Sequence, residues 1–325
     1  MTDLLKFRLP GKDTQTKFGK FEKVDKKCNL SGFLVTDFTA ENLYLFKDIE
    51  NEEFSHFHEG PKSNLYQVDY QQYLNQCNQL IKNTQAEILK KCVLSRIKKI
   101  NIHQVNLHDF FQKICSAYPN SFVYLLSSST LGTWVGASPE VFVLAKEGRG
   151  YTMSLAATKR REDISIWNNK EKDEQNMVTN YLISELGKIT RHVSNEDALT
   201  YTAGPVKHLM TKINFDFNHM LLADFIHKVH PTPAVCGFPK MEAYNQIRDT
   251  ERHDRYLYTG IIGWCGENET ELFVNLRCAR VIDQEMYLFL GGGITAQSDA
   301  ELEWQETENK SRTLIDLLEI NNMNS

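Results

Sequence analysis

The stretch Glu301-Leu-Glu-Trp-Gln-Glu-Thr-Glu-Asn-Lys310, continued by Ser311-Arg-Thr-Leu-Ile-Asp-Leu-Leu318, constrains the fold more than any other. At about 100° per residue, Glu303, Glu306 and Lys310 share a narrow helical arc with Leu314 and Leu317. The apolar end of that arc must enter a core, so its charged end points inward as well. Two inward carboxylates and an ammonium cost several kcal/mol unless something pairs with them. A metal ion or an anionic ligand would do so. The alternative is a helix whose first turns face water, where these residues form solvated i, i+3 and i, i+4 pairs.

The pattern recurs. A helix expected from Asn169 to about Arg191 carries Glu171 and Glu174 on the arc of Val178, Leu182 and Ile189. Four inward carboxylates without a cation would repel one another strongly. Oxygen-only ligands favour a hard cation, and Mg²⁺ is preferred to Ca²⁺ because there is no EF-hand-like loop.

Periodicity around these helices predicts an amphipathic helix from Asp69 to Lys90 running into a strand at Lys91–Ile97, and a second helix near Leu107–Tyr118. A meander follows at Ser121–Ser127, Trp134–Ala137, Val141–Ala145 and Tyr151–Ala156, its short connections implying antiparallel pairing. After a loop and strand over Ala198–Leu209 and a helical piece at His219–Val229 comes the fixed irregular loop 230–240, HPTPAVCGFPK. A second meander, Tyr258–Cys265, Glu271–Ile282 and Glu285–Leu290, puts Arg277 on one strand face with Phe273, Asn275 and Ala279. Gly291–Gly293 then opens towards the last helix. Residues 1–64 offer a possible hairpin around Gly32–Phe46 and no motif.

Other chemistries find no support. Gly291–Gly293 lacks dinucleotide-fold spacing, and there is no Walker-type Gly-Lys-Ser/Thr, His-Glu-x-x-His or Gly-x-Ser-x-Gly. A net charge of −5 without a long basic run gives no case for nucleic acid. The longest apolar runs are too short to span a bilayer, and the first residues lack the apolar core of a signal peptide. Seven scattered cysteines without a Cys-x-x-Cys pair read as reduced packing residues, so a cytoplasmic location is expected.

Within this frame Arg277 and Lys310 are cationic partners for a substrate carboxylate, Arg as a fork and Lys as a point charge. Arg277 could equally face water or pair with a nearby acid. Lys91 reads as an edge-strand gatekeeper or a site residue, and Glu140 as a hairpin bulge residue or a site residue. His208 and His230 fit satisfied core or loop histidines as well as participants in chemistry.

KCVLSR (91–96), GASPEVFV (136–143), LAATKR (155–160), HPTPAVCGFPK (230–240), YTGIIGW (258–264), LFVNLRCAR (272–280), GGGIT (291–295) and EWQETENK (303–310) together resemble the chorismate-utilising enzymes. Within that group the chain is most similar to isochorismate synthases. The resemblance implies a single α+β domain over 1–325, with 65–318 as catalytic core and 1–64 as a less defined N-terminal part. Its architecture would be two mainly antiparallel sheets sandwiched together, with helices on the outside. It also implies a Mg²⁺ site held by Glu174 and Glu306 and supported by Glu171 and Glu303, with the ring carboxylate of chorismate on the ion. Arg277, with backbone help near Gly291, would take the enolpyruvyl carboxylate, and Lys310, Thr158, His208 and Tyr258 would line the pocket.

Lys91 matches the family's general base and Glu140 its general acid, so water would add at C2 as hydroxide leaves C4. A base must be neutral and an acid protonated; a closed, cation-containing pocket can lower a lysine's pKa, and burial can raise a carboxyl's. Relatives that add ammonia generally lack this lysine, often carry Gly-Thr where this chain has Pro233-Ala234, and work with a glutamine-hydrolysing partner. No such partner is expected here. Salicylate synthases, which go on to eliminate pyruvate, the ammonia-using synthases and a non-catalytic chorismate-binding module are the alternatives. One departure stands out: the family usually has Gly where this chain has Ala157, whose methyl narrows the pocket. The product would serve menaquinone or siderophore synthesis.

Overall fold

The computed structural model describes residues 2–25, 30–50, 52–203, 206–218 and 222–319. Cys28 and the start of the helix expected at His219 lie outside them. The first strands are Asp3–Arg8 (β1), Gln15–Val24 (β2), Gly32–Thr36 (β3) and Leu43–Asp48 (β4). Helix Tyr70–Gln85 (α1), strand Lys91–Asn101 (β5) and helix Leu107–Ala117 (α2) follow. Then come Phe122–Ser128 (β6), Gly132–Ser138 (β7), Val141–Lys146 (β8), Arg149–Arg160 (β9) and helix Asn169–Leu186 (α3). Val193–Asn195 (β10), Leu199–Ala203 (β11) and Val206–Asp216 (β12) lead to helix Leu222–Val229 (α4), the two-residue Gly237–Phe238 (β13) and helix Lys240–Thr250 (α5). Ile261–Cys265 (β14), Glu269–Val274 (β15), Cys278–Ile282 (β16), Glu285–Ile294 (β17) and helix Ala300–Glu319 (α6) complete the chain.

Each of these strand pairs is antiparallel. One layer runs β13-β5-β17-β16-β7-β6-β1, and the other runs β4-β3-β14-β15-β8-β9-β12 with β10 and β11 at its end. The long strand β2 pairs with both β1 and β4, so the two expected sheets are one hydrogen-bonded ribbon folded over itself. The N-terminal segment, read as motif-free, therefore supplies the hinge strand of the sandwich. The hairpin expected around Gly32–Phe46 forms as β3–β4.

Aromatic side chains fill the space between the layers. Phe122 of β6 stacks on Phe273 of β15 with centroids 4.8 Å apart, and Phe7, Phe33 and Phe289 join the same core. Each such ring contributes about 1.5–3 kcal/mol by leaving water. Helices cover the outer faces. Phe110, Phe111 and Ile114 of α2 and Leu314 of α6 pack on one layer, and Val178 and Leu182 of α3 with Phe225 of α4 pack on the other.

Two strand expectations need correction. Residues 271–282 are not one strand: β15 ends at Val274 in one layer and β16 starts at Cys278 in the other. Arg277 sits in this crossover with φ of +49°, so alternation does not set its direction. A second crossover joins β7 to β8 through Pro139 and Glu140. The two lie side by side, since Val274 N–H donates to Glu140 O (3.0 Å) and Ala137 N–H donates to Arg277 O (3.1 Å). Gly291–Gly293, expected to follow a strand ending at Leu290 and open towards the last helix, instead belongs to β17, paired with Val93–Ser95 of β5. Helix α5 was not anticipated from the sequence: it buries only Ala243 and Ile247, too thin a stripe to stand out.

Candidate active site

The two layer crossovers open a cleft at one edge of the sandwich, with a volume of about 720 Å³ counting its mouth. Ten of the residues singled out above line it: Lys91, Glu140, Thr158, Glu174, His208, Tyr258, Arg277, Gly291, Glu306 and Lys310. They come from β5, both crossovers, the end of β9, α3, β12, the turn before β14, β17 and α6. Glu303 and Glu171 are not part of this lining.

The glycines of β17 make room for the charged groups. A Cβ at Gly293 would lie 2.6 Å from Lys91 Cε and 2.9 Å from Glu174 Oε1, and one at Gly292 would lie 3.0 Å from Glu303 Oε2. Any side chain there would displace the groups that face the cleft.

Each of the four glutamates meets a lysine. Glu174 Oε1 lies 2.8 Å from Lys91 Nζ, Glu306 Oε1 2.5 Å from Lys310 Nζ, Glu171 Oε2 3.2 Å from Lys159 Nζ and Glu303 Oε1 3.8 Å from Lys170 Nζ. Lys91 is 2% exposed, which removes the gatekeeper reading. Glu171 also closes a capping box with Asn168 at the start of α3. Lys159 and Lys170 were missed in the sequence, although both lie within twelve residues of Glu171. Among the described residues no three His, Cys, Asp or Glu side chains converge at metal-ligand spacing.

The carboxyls differ in electrostatic setting. Burial, then the charge of Glu306, pushes Glu303 up to about 8, with a further contribution from Glu174. Burial also works against ionisation of Glu306, but the charges of Lys310 and Arg277 outweigh it and hold that carboxyl below its ordinary range. The crowding of Glu303 by Glu306 and Glu174 is the relation a divalent cation would relieve, and an all-carboxylate set suits Mg²⁺. Binding an ion would require Glu174 and Glu306 to be shared with, or released by, their lysines.

Glu140, 5% exposed, is pushed up by burial to about 8 despite the pull of Lys91 and Lys310. It is therefore a protonated acid at neutral pH, facing the same cleft as a buried amine. Burial drives His208 down to about 3, with Arg277 and Lys310 adding to the effect, so its ring is neutral. Its Nδ1 lies 2.9 Å from the carbonyl of Ala157 and 3.2 Å from Thr158 Oγ1. A carbonyl only accepts, so Nδ1 carries the proton and Nε2, buried without a partner, is left as an acceptor. His230, by contrast, lies outside the cleft, its Nε2 bonded to Phe38 O at 2.8 Å.

Backbone strain concentrates at the cleft. Ala157, Thr259 and Arg277, all lining it, have φ of +53°, +62° and +49°. Ala157 is the extra residue of a bulge, because His208 pairs with Thr158 and Leu209 with Ala156. The bulge aims the Ala157 carbonyl at His208, so the backbone contact survives the methyl. Arg277 is held by α6, where its Nη1 donates to Thr313 Oγ1 at 2.8 Å. Lys310 Nζ also donates to Gly291 O at 2.8 Å, so that carbonyl is already engaged.

Beneath the cleft, Glu251 and Arg255 act as a substitute strand along the free edge of β5. Ser95 N–H donates to Glu251 Oε1 (2.7 Å), while Arg255 donates to Val93 O (2.7 Å) and, through its other nitrogen, to Val235 O (2.8 Å). This pair ties the Lys91 strand to the 230–240 loop.

A family profile described as chorismate binding enzyme matches residues 32–319. Isochorismate synthase EntC of Escherichia coli K12 is 30% identical over 246 residues, 70% of this chain and 62% of that protein. The vibriobactin-specific isochorismate synthase of Vibrio cholerae is 29% identical over 261 residues, 75% of this chain and 66% of that protein. The chain thus spans less than two thirds of the length of these curated relatives. The solved structure of MenF, the menaquinone-specific isochorismate synthase of Escherichia coli, superposes with a TM-score of 0.81 at 19% identity, covering 97% of this chain and 88% of that one. At that identity the likeness establishes the shared fold.

Proposed function

The chain belongs to the chorismate binding enzyme family, and from that premise we propose that it is an isochorismate synthase that isomerises chorismate with the help of Mg²⁺. One observation carries the reading: a buried lysine, Lys91, and a buried carboxylic acid, Glu140, face one cleft, the acid held protonated up to about pH 8. Such a pair can take a proton at one point of a bound ring and give one at another. Lys91 takes a proton from water as its oxygen bonds to C2. The ring double bonds shift, the C4–oxygen bond breaks, and Glu140 protonates the departing hydroxide. One water enters and one leaves, so the reaction is an isomerisation without oxidant or reductant.

Arg277 offers the enolpyruvyl carboxylate a buried guanidinium, and the lone pair on His208 Nε2 can accept from a ring hydroxyl. Glu174 and Glu306, backed by Glu303 and Glu171, would hold Mg²⁺, which when bound neutralises the ring carboxylate and the charge that develops on it. A cytoplasmic setting and independence from a glutaminase are part of the same reading. No helix of the described residues is long and apolar enough to cross a membrane, and the six described cysteines are free thiols. The product would feed menaquinone or siderophore assembly.

The test is chromatographic product analysis after incubation with chorismate and Mg²⁺, with and without EDTA. Isochorismate is expected, lost on chelation. Stoichiometric pyruvate would make the protein a salicylate synthase, and anthranilate or aminodeoxychorismate formed from ammonium would make it an ammonia-using synthase.

A further inference from the structure

A second cavity, of about 1230 Å³ counting its mouth, lies beside the first and shares no lining residue with it. The segment His253–Leu257 lines it, and the next two residues, Tyr258 and Thr259, line the catalytic cleft. Phe38, Tyr44, Leu131, Tyr244, Ile247 and Leu257 form the apolar and aromatic part of its walls, among charged and polar residues.

The polar groups in those walls are unequally satisfied. Glu251 is paired with Arg255 at 2.6 Å, and Asp254 accepts from the Tyr256 hydroxyl at 2.9 Å. Asp37 accepts from Thr39, from the backbone of Glu41 and from Asn42. Arg280 is different. It is 1% exposed and donates to Ser63 Oγ (2.6 Å), Glu59 O (2.8 Å) and Pro61 O (2.7 Å), all of them neutral. Its guanidinium lies over the Tyr256 ring at 5.5 Å, no carboxylate of the described residues lies within ion-pair distance of it, and its Nε–H has no hydrogen-bond partner. His253, 5% exposed, is bonded through Nε2 to Ser95 Oγ at 2.9 Å, leaving Nδ1 without a partner. A buried guanidinium without a counter-charge and an unpartnered imidazole nitrogen are groups that a ligand would satisfy.

The geometry points to a second ligand site in this cavity, for a small carboxylate attached to a flat ring. The carboxylate answers the charge of Arg280, the ring packs among the tyrosines and Phe38, and a polar ring substituent can reach His253. The proposal does not depend on the reaction assigned to the first cleft.

Benzoate, with benzamide as its uncharged isostere, is a suitable probe by titration calorimetry on the full chain. Benzoate is expected to bind one site in the wild type and to bind equally well in Arg277→Gln, which removes the carboxylate partner of the catalytic cleft. Binding is expected to weaken at least about tenfold, or roughly 1.4 kcal/mol, for benzamide and in Arg280→Lys. Thr130→Trp, at an exposed position on the cavity's lip, should weaken it similarly without touching the buried network. Absence of saturable binding, loss of binding in Arg277→Gln, undiminished binding in Thr130→Trp, or equal affinity for benzamide would each overturn the proposal.

Discussion

Lys91 Nζ stands 2.8 Å from Glu174 Oε1, joining the strand that begins at Lys91 to the helix that carries the first glutamate pair. The amine is 2% exposed and the glutamate side chain 15%, so neither can exchange its partner for bulk water without rearrangement. The same two residues are proposed as base and metal ligand, so their roles separate cleanly by mutation. Lys91→Ala should lower kcat by about 10²–10⁴-fold, the usual share of a general base, while chorismate binding changes little. Steady-state rates beside equilibrium titration check this, and wild-type turnover would remove Lys91 from the chemistry.

Glu140 sets the alkaline side of the pH profile. Its carboxyl is raised by burial to about 8, so the donor form is present at neutral pH and disappears above that value. Activity should fall on the alkaline side of about pH 8, and Glu140→Gln should be nearly inactive throughout. Stability follows the same sign. A carboxyl raised from 4.5 contributes fully below about pH 4.5 and loses that contribution as pH rises through about 8. Glu140→Gln should therefore flatten part of the decline in chemical-denaturation stability across that window.

Glu306 is held ionised by Lys310, against its burial. Glu306→Gln keeps the shape but removes the charge, and the Mg²⁺ concentration for half-maximal activity should rise at least about tenfold. A metal titration that superimposes on the wild-type curve would exclude Glu306 as a ligand.

Ala157 occupies the left-handed region at φ of +53° in the bulge that orients His208. Left-handed backbone costs a residue with a Cβ about 1–2 kcal/mol, whereas glycine pays about 0.5–1 kcal/mol of extra entropy on folding. Ala157→Gly should thus leave stability unchanged or raise it by up to about 1 kcal/mol in urea denaturation. A clear loss would mean that the methyl is a packing element.

Thr313 steadies Arg277 through a 2.8 Å hydrogen bond to Nη1. Thr313→Val should raise KM for chorismate several-fold with kcat largely retained, and Thr313→Ser should restore it. A fall in kcat at constant KM would contradict a role in holding substrate.

Much of this was legible in the sequence wherever spacing alone determines direction. Glu303, Glu306, Lys310 and Leu314 fall on one helical face in α6, and Glu174, Val178 and Leu182 do so in α3; in both the charged end enters the site. What could not be read is set by distant partners. Nothing in the alternation of 271–282 announces that the chain leaves one layer at Val274 and joins the other at Cys278, because both halves are buried. The pairing of each glutamate with a lysine was equally hidden, since Lys91 and Glu174 meet only after the sandwich has closed. The role of β2 as hinge depends on register against β1 and β4, which a polar strand does not encode visibly.

The most direct measurement is mass analysis of isochorismate made from unlabelled chorismate in water enriched in heavy oxygen. Addition of solvent water at C2 with loss of the C4 hydroxyl requires one heavy oxygen in the product, and none in chorismate recovered before the reaction approaches equilibrium. Unlabelled isochorismate would mean that the hydroxyl migrates without leaving the ring, and the acid–base roles of Glu140 and Lys91 would fall with it.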